Sequence, residues 1–282
     1  MSEKFTTADV RRTWEAAAPG WARWEARLSA ELSDATERLI DMAAVRPGMR
    51  VLDVACGAGA QSLRLAERVG PDGSVLATDI SATMLEQVRA NAARAGLGNV
   101  ETRESAAEEL DETPGPFDAS ICRLGLMLFP SPRKALEAIR RVLKPGARFA
   151  ALVFTTPDKN PFMAQPMKVL LQHAGKEPPP PGQPGIFALG REGLLQELVQ
   201  DTGFEGVQSE ILQARLRLPN ADEAFEMMRE AFGAYHAVVA DLGPEERARA
   251  WEEVHACLKQ FETAGQFEAP LEFVIASGAR PS

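Results

Sequence analysis

Apolar positions near the start of the chain recur at helical intervals. Trp14, Trp21, Trp24 and Leu28 share one stripe, and the Pro19-Gly20 pair interrupts it. Asp34 and Glu37 have the spacing of a capping box that opens a second helix. Two helices are therefore expected up to Val45. From Met49 the period changes, and short apolar runs alternate with amphipathic ones. The pattern predicts strands over 49–55, 74–79, 99–105, 117–123 and 147–154. Helices are predicted between them over 61–69, 81–96 and 131–144. Ser81 is the expected N-cap and Gly96 the stop of the second, while Ser131-Pro132 opens the third and Pro145-Gly146 closes it. Strands alternating with helices imply a parallel sheet covered on both faces.

Beyond Thr155 the alternation breaks. Asn160-Pro161-Phe162 reads as the start of a helix that runs to Ala174. The run KEPPPPGQPG over 176–185 is a stiff polyproline-type connector. A helix over 191–203 is closed by Gly203, and a strand follows over 206–216. The stretch from Asn220 to Ala264 is helical again, opened by an Asn220–Glu223 capping box and divided at Gly243-Pro244. A last strand covers 271–279. The expected organisation is an N-terminal helical cover over 1–45 and a ligand-binding core over 46–155. Core elements interleaved with a helical lid follow over 156–265, and a C-terminal strand over 266–282 ends the chain. The fold class is α/β: a doubly wound, mostly parallel seven-stranded sheet with an N-terminal helical segment and a helical lid insertion.

Composition narrows the function. The 282 residues exceed what one simple core needs. A formal net charge of -9 opposes phosphate backbones, so no nucleic-acid partner is expected. Cys56, Cys122 and Cys257 have no ligand or disulfide spacing, which predicts no metal site and no disulfide framework. No apolar run reaches the roughly 18 residues of a membrane span, and the opening residues lack an apolar leader. A cytoplasmic protein is expected, and nothing in the pattern assigns an oligomeric state.

The chemistry concentrates in VLDVACGAG, residues 51–59, and in Asp79 at the end of the next strand. Gly57 and Gly59 let the chain turn and let a ligand approach closely. The helix that follows offers unpaired N–H groups. Asp79 can accept two hydrogen bonds from a ribose diol. Ser62 stands where a dinucleotide fingerprint has its third glycine, and Asp53 would repel a pyrophosphate.

Residues 49–154 resemble the class I S-adenosylmethionine (SAM)-dependent methyltransferases, a Rossmann-like family, and most closely its ubiquinone/menaquinone-biosynthesis group. VLDVACGAG resembles the family's first motif and ATDIS its ribose-binding segment. ICRLGLMLFPSPRKALEAIRRVLKPG resembles its fourth-strand region through the turn into the fifth strand. The resemblance implies SAM as cofactor. It puts Asp53, Ala55, Gly57, Gly59 and Gln61 around the methionine moiety, with Asp53 beside its ammonium group. Asp79, Ile80 and Met84 would hold ribose and flank adenine, with Ala106 and Ala107 at the adenine edge. Cys122, Arg123 and Leu124 would sit behind the methionine part, with Phe129 nearby as a wall of the acceptor pocket. Many relatives carry an acid at the position of Ala106, so here backbone, water or Glu108 has to receive the adenine amino group.

The expected activity is methyl transfer to O, N or C of a small, largely apolar metabolite. The alternatives are a non-methyltransferase reaction on the same SAM-binding fold, or a non-catalytic binding role. His236, then His173, are the candidate bases, because imidazole titrates near working pH. Trp14 and Trp21 either pack the first helix or cover the cofactor, where an aromatic face favours a positive charge. Phe225, Met228, Phe232, Tyr235 and Val239 fall on one helix face, and Phe162 and Met167 come from the earlier insert. The stripe is either core or the wall of an apolar acceptor pocket, with Tyr235 or His236 orienting or deprotonating the acceptor.

Overall fold

A computed structural model describes residues 6–111, 115–180 and 183–282. Met1–Phe5 of the opening segment and Pro181-Gly182 of the expected connector lie outside them.

Five parallel strands form the centre of one sheet: β1 (Arg50–Val54), β2 (Ser74–Asp79), β3 (Val100–Glu104), β4 (Phe117–Arg123) and β5 (Leu143–Phe154). Two long antiparallel strands, β6 (Glu205–Leu218) and β8 (Gln266–Ala279), complete it in the order β3-β2-β1-β4-β5-β8-β6, and the two-residue β7 (Glu262–Thr263) pairs with β8. Val51, Leu52, Val54, Val75, Ala119 and Ile121 are buried because helices cover both faces. Those helices are α2 (Ser33–Met42), α3 (Ala60–Val69), α4 (Ala82–Ala95), α5 (Pro132–Val142) and α7 (Leu194–Asp201). The strand order reverses between β1 and β4, so a crevice opens at the carboxyl ends of these strands. Above it lie α1 (Thr7–Glu31), α6 (Pro161–Ala174), α8 (Ala221–Ala231), α9 (Gly233–Val238) and α10 (Pro244–Leu258).

The structure corrects several expectations. Pro19-Gly20 does not interrupt the first helix, which runs unbroken for 25 residues. Its true start is a capping box between Thr6 and Asp9, in which Asp9 accepts the Thr6 N–H at 2.8 Å. Gly20 is a contact point instead: a Cβ there would lie 1.9 Å from the Glu230 carbonyl oxygen of α8. The Asp34–Glu37 box does not form, because α2 follows directly on Leu32 with no side-chain cap. Ser131 does not cap α5 through its side chain; its own N–H is taken by Glu108 Oε1 at 3.0 Å. The Asn220 cap holds, accepting the Glu223 N–H at 2.8 Å, but the helix breaks early, at Phe232. There Gly233 tucks under α1, and a Cβ would lie 3.0 Å from that of Ala17. Helix ends at Leu258 with one short 3-10 turn, and residues beyond it return as β7.

β8 also starts earlier than its pattern suggested. Residues 268–272 pair with β6 alone, past the end of β5, so a two-stranded ribbon overhangs the sheet beneath the lid helices. Asn160 anchors the turn from β5 into α6: its side chain donates to Thr155 Oγ1 at 3.2 Å and accepts the Glu272 N–H at 2.8 Å.

Gly20→Ala sets a methyl group against backbone, which cannot rotate away. The variant is expected to lose roughly 1–3 kcal/mol or more, read as a melting temperature lower by several degrees in calorimetry. An unchanged melt would mean that the α1–α8 approach is not tight.

Candidate functional site

The crevice at the strand ends is a cleft of about 750 Å³, counted to its open mouth. The glycine loop and β2 supply Ala55, Gly57, Asp79, Ile80 and Met84 to its lining. The segments after β3 and β4 supply Ala106, Ala107, Arg123, Leu124 and Phe129, and α1 supplies Trp14 and Trp21. Phe129, expected in the acceptor pocket, lies on this side instead. Glu108 lines the cleft too, with one oxygen committed to the α5 start.

Local backbone chemistry explains the geometry. Gly57 and Gly59 have φ of 56° and 98°, a region that glycine enters without strain. Ala55 and Leu124, at the ends of β1 and β4, have φ of 56° and 60° without that licence. Both carry strain at the lip of the cleft. Asp79 is held from two sides: Oδ2 accepts the Gly57 N–H at 2.9 Å and Oδ1 the Ser81 N–H at 2.9 Å. An ionised carboxylate has about four acceptor positions, so Asp79 keeps capacity for a ligand. Burial raises its pKa above the ordinary carboxylate range, against the pull of the Ser81 and Gly57 N–H groups.

Asp53, Gln61 and Cys122 lie beneath the cleft, fully or almost fully buried, and Gly59 caps α3 there. Asp53 accepts from Ser62 Oγ at 2.5 Å and from Gln61 Nε2 at 3.4 Å. Ser62, the residue that breaks the dinucleotide pattern, thus holds the acid in place. Gln61 Oε1 has no protein partner. Burial pushes the Asp53 carboxyl up to about 7, opposed by Ser62 and by the nearby Arg123 charge. Burial likewise pushes Glu25 of α1 up to about 7, opposed by Asn91, the Ala60 N–H and Arg123. Arg123 is half-buried in the cleft wall and donates to Thr36 Oγ1 at 2.8 Å. Its charge therefore acts on two reluctant carboxylates. Glu25 escaped the sequence reading because nothing local distinguishes it from the other charges of α1.

A second cavity, about 730 Å³, adjoins the first. Trp14, Trp21, Leu124 and Leu128 line both. The remainder of its lining is almost wholly apolar. Phe162 and Met163 come from α6, Met227 and Phe232 from α8 and its end, and Leu216 and Leu271 from the overhanging ribbon. Tyr235 lines it as well, buried, with its hydroxyl donating to the Met163 carbonyl at 2.7 Å. Burial pushes that phenol upward, so it serves as a neutral donor.

Of the residues expected as bases or as acceptor-pocket walls, five line neither cavity. The break at Phe232 turns the later helix, so Tyr235 faces inward and its neighbour His236 faces solvent. His236 bonds the Arg229 carbonyl and rests 5.2 Å from the Trp251 ring. His173 pairs with Glu253 at 2.8 Å on the outside of α6. Phe225 packs on Trp251 and His255, Met228 is sealed in the core, and Met167 packs half-buried at its edge. No histidine lines either cavity, so the structure brings neither His236 nor His173 to the candidate site. The sequence reading also missed Thr7, Val10, Leu28 and Glu31, although the seven-residue spacing of Trp14, Trp21 and Leu28 was their signal.

The buried carboxyls fix a pH dependence. Their folded pKa lies above the unfolded value near 4. The unliganded folded state then binds more protons than the unfolded state between about pH 4 and 7. Its stability is fully supported below that window and declines as pH rises through about 7. Asp53→Asn should flatten this slope in melts taken between pH 5 and 8; an equal slope in both proteins would contradict the assignment.

Residues 46–174 match the methyltransferase domain family. A nocamycin O-methyltransferase of Saccharothrix syringae is 31% identical over 197 residues, which cover 66% of this chain and 69% of that protein. A ubiquinone/menaquinone biosynthesis C-methyltransferase, UbiE, of Ectopseudomonas mendocina is 39% identical over 127 residues, 45% of this chain and 49% of its own length. The chain thus spans about half of that relative. The solved structure of the cyclase SpnF shares the fold at 17% identity, with a TM-score of 0.58 over 98% of this chain and 96% of its own. Among the described residues no helix is long and apolar enough to cross a membrane. The glycine loop, the doubly held Asp79 and the match to the Saccharothrix enzyme converge: the chain belongs to the SAM-dependent methyltransferases.

Proposed function

We propose that the cleft takes SAM, that the adjoining cavity takes a small, largely apolar acceptor, and that O, N or C of that acceptor is methylated. The observation that carries the reading is the shared wall: Trp14, Trp21, Leu124 and Leu128 belong to both spaces. A cofactor in one would meet an acceptor in the other across those four side chains.

The residues fit the cofactor. Asp79 offers its remaining lone pairs to a ribose diol, with Ile80, Met84, Ala106 and Ala107 around an adenine. A Cβ on Gly57 would lie 3.1 Å from the Trp21 indole nitrogen, so only a glycine leaves room between loop and ring. Asp53, with Glu25 behind it, favours an ammonium group, and Gln61 Oε1 remains to accept a hydrogen bond. When bound, SAM supplies a methyl group on a positively charged sulfur, a strong electrophile. The Trp14 and Trp21 faces favour that charge and keep water from it. Orientation across the shared wall then provides most of the rate. Tyr235, whose O–H is spent on the Met163 carbonyl, orients the acceptor by accepting a hydrogen bond from it. The nucleophile is supplied by an electron-rich carbon, an amine or an acidic hydroxyl of the acceptor, since no imidazole lines the cavity.

A nocamycin-type O-methylation and a quinone-type C-methylation, after the relatives named above, are both compatible with such a cavity. The net charge of -9 argues against a nucleic-acid acceptor. Three free thiols support work in the reducing cytoplasm.

Incubation with SAM and a panel of quinones, phenols, polyketides, terpenoids and amines should yield S-adenosylhomocysteine with an apolar member. Failure across all classes would overturn methyl transfer. Asp79→Ala should weaken SAM binding about tenfold or more, from the loss of charge-assisted hydrogen bonds worth roughly 1.5–3 kcal/mol. Calorimetry showing unchanged affinity would remove the ribose assignment. Phe232→Ala should impair acceptor use while leaving SAM affinity nearly intact.

A further inference from the structure

α1 runs along both cavities with a single face. Thr7, Val10, Trp14 and Trp21 line the cofactor cleft, and Trp14, Trp21, Leu28 and Glu31 line the apolar cavity. The intervals of three, four and seven residues keep all of them on one side of a helix. Trp21 stands at the wall between the cavities, and Glu31 ends the helix. The segment between them contains no proline. At 1.5 Å per residue it spans about 15 Å of helix axis. The apolar cavity is therefore elongated. One end abuts the cofactor cleft, and Leu28 and Glu31 of α1, Leu32 just after it and Leu216 of β6 line the other.

Glu31 is the one ionisable carboxylate on that lining. Its direction is fixed, because Oε2 accepts the backbone N–H of Arg217 at 3.0 Å. No described residue bonds Oε1. Glu31 is half-buried, so Oε1 stays open to solvent and to a ligand at that end of the cavity. Tyr235, the other polar group of the cavity, is already committed to Met163.

We propose that Glu31 is a specificity residue that receives a hydrogen-bond donor, a hydroxyl or a protonated amine, at the end of the acceptor remote from the methylated atom. The acceptor is then an elongated molecule: an apolar body about 15 Å long, with its reactive atom near Trp21 and its donor at Glu31. The inference rests on the apolar cavity being the acceptor site, and it adds length and polarity to that reading.

The test uses simple probes on the full chain with S-adenosylhomocysteine bound: decanol, decylamine, decyl methyl ether, hexanol and hexyl methyl ether. Binding is read from tryptophan emission, since Trp14 and Trp21 line the cavity. Decanol and decylamine should bind about tenfold more tightly than the ether, which has no donor, as expected for a hydrogen bond to a charged group. Hexanol is too short to reach from the shared wall and should show no such gain over its methyl ether. Glu31→Leu should erase the preference and leave the ether as tightly bound as before. Glu31→Gln should keep the preference for decanol and lose that for decylamine if the natural group is a hydroxyl-like donor. Loss of both would assign an ammonium. Equal binding of decanol and its ether to the wild-type chain overturns the proposal, as does a preference that survives in Glu31→Leu. Should that variant fold poorly, the decylamine preference in Glu31→Gln decides alone: if it persists undiminished, the carboxylate plays no part. Affinity for S-adenosylhomocysteine is measured first. Its absence would defeat the cofactor reading itself, whereas its presence without probe discrimination defeats only the role of Glu31.

Discussion

The approach of α1 to the α8–α9 corner is the constraint on which the rest depends. Gly20 brings the helix against the Glu230 carbonyl, and Gly233 lets α9 slide beneath Ala17. Side chains then lock the pair: Trp24 Nε1 donates to Glu230 Oε2 at 2.7 Å, Arg23 reaches Oε1 of the same residue at 2.6 Å, and Arg27 reaches Glu223 at 3.2 Å. The opposite flank of α1 is tied to the core, where Glu15 accepts the Ala82 N–H at 2.7 Å and Glu25 meets Asn91. A helix held from both sides forms a common roof. Without it the cofactor cleft would lose its tryptophans and the apolar cavity one entire wall.

Much of this was legible, for a physical reason. The parallel core is written in local signals: apolar runs of strand length, an N-cap at Ser81, a glycine stop at Gly96. Each acts within a few residues of itself, so the strands at 74–79 and 117–123 fall where the pattern predicts them. Asp79 and the glycine loop were readable in the same way, since a turn followed by a helix start is a local event. Pro19-Gly20 misled because the glycine answers to a residue over two hundred positions away. Its requirement is tertiary, and in sequence it looks like a helix stop. The lid histidines misled through one backbone break: with helix continuing past Phe232, His236 would belong to a different face. The extension of β8 over 266–270 was hidden by Pro270, which reads as a strand terminator and here occupies a ribbon with one partner.

The cluster beneath the cleft shows how the two functions of the core compete. Asp53 is withdrawn from water, and Glu25 and Arg123 partly so, at a cost that one ion pair seldom recovers. Burial makes both carboxyls hold protons to about pH 7, even with the Arg123 charge pulling the other way. An apolar trio would stabilise the unliganded fold better. What the arrangement gains is a fixed, desolvated field that suits a cation, in a place where water cannot rearrange to oppose it. The strain at Ala55 and Leu124 belongs to the same trade, because straightening either would move the strand ends that aim this field.

The acceptor side obeys a different logic. Its walls come from α1, α6, the α8–α9 corner and the overhanging β6–β8 ribbon, elements as far apart in sequence as Glu31 and Gln266. None of these residues is chemically unusual, so no spacing rule could collect them. They share only that the fold leaves them facing one space. The cofactor half, by contrast, is fixed by backbone N–H groups and a carboxylate that tolerate little change. Most side chains of the acceptor half stand on helices and on the overhanging ribbon, away from the parallel strands that hold the cofactor loop. A chain built this way can exchange its acceptor while keeping its cofactor. The sequence accordingly speaks clearly for SAM and only indirectly, through Glu31 and the length of α1, for what is methylated.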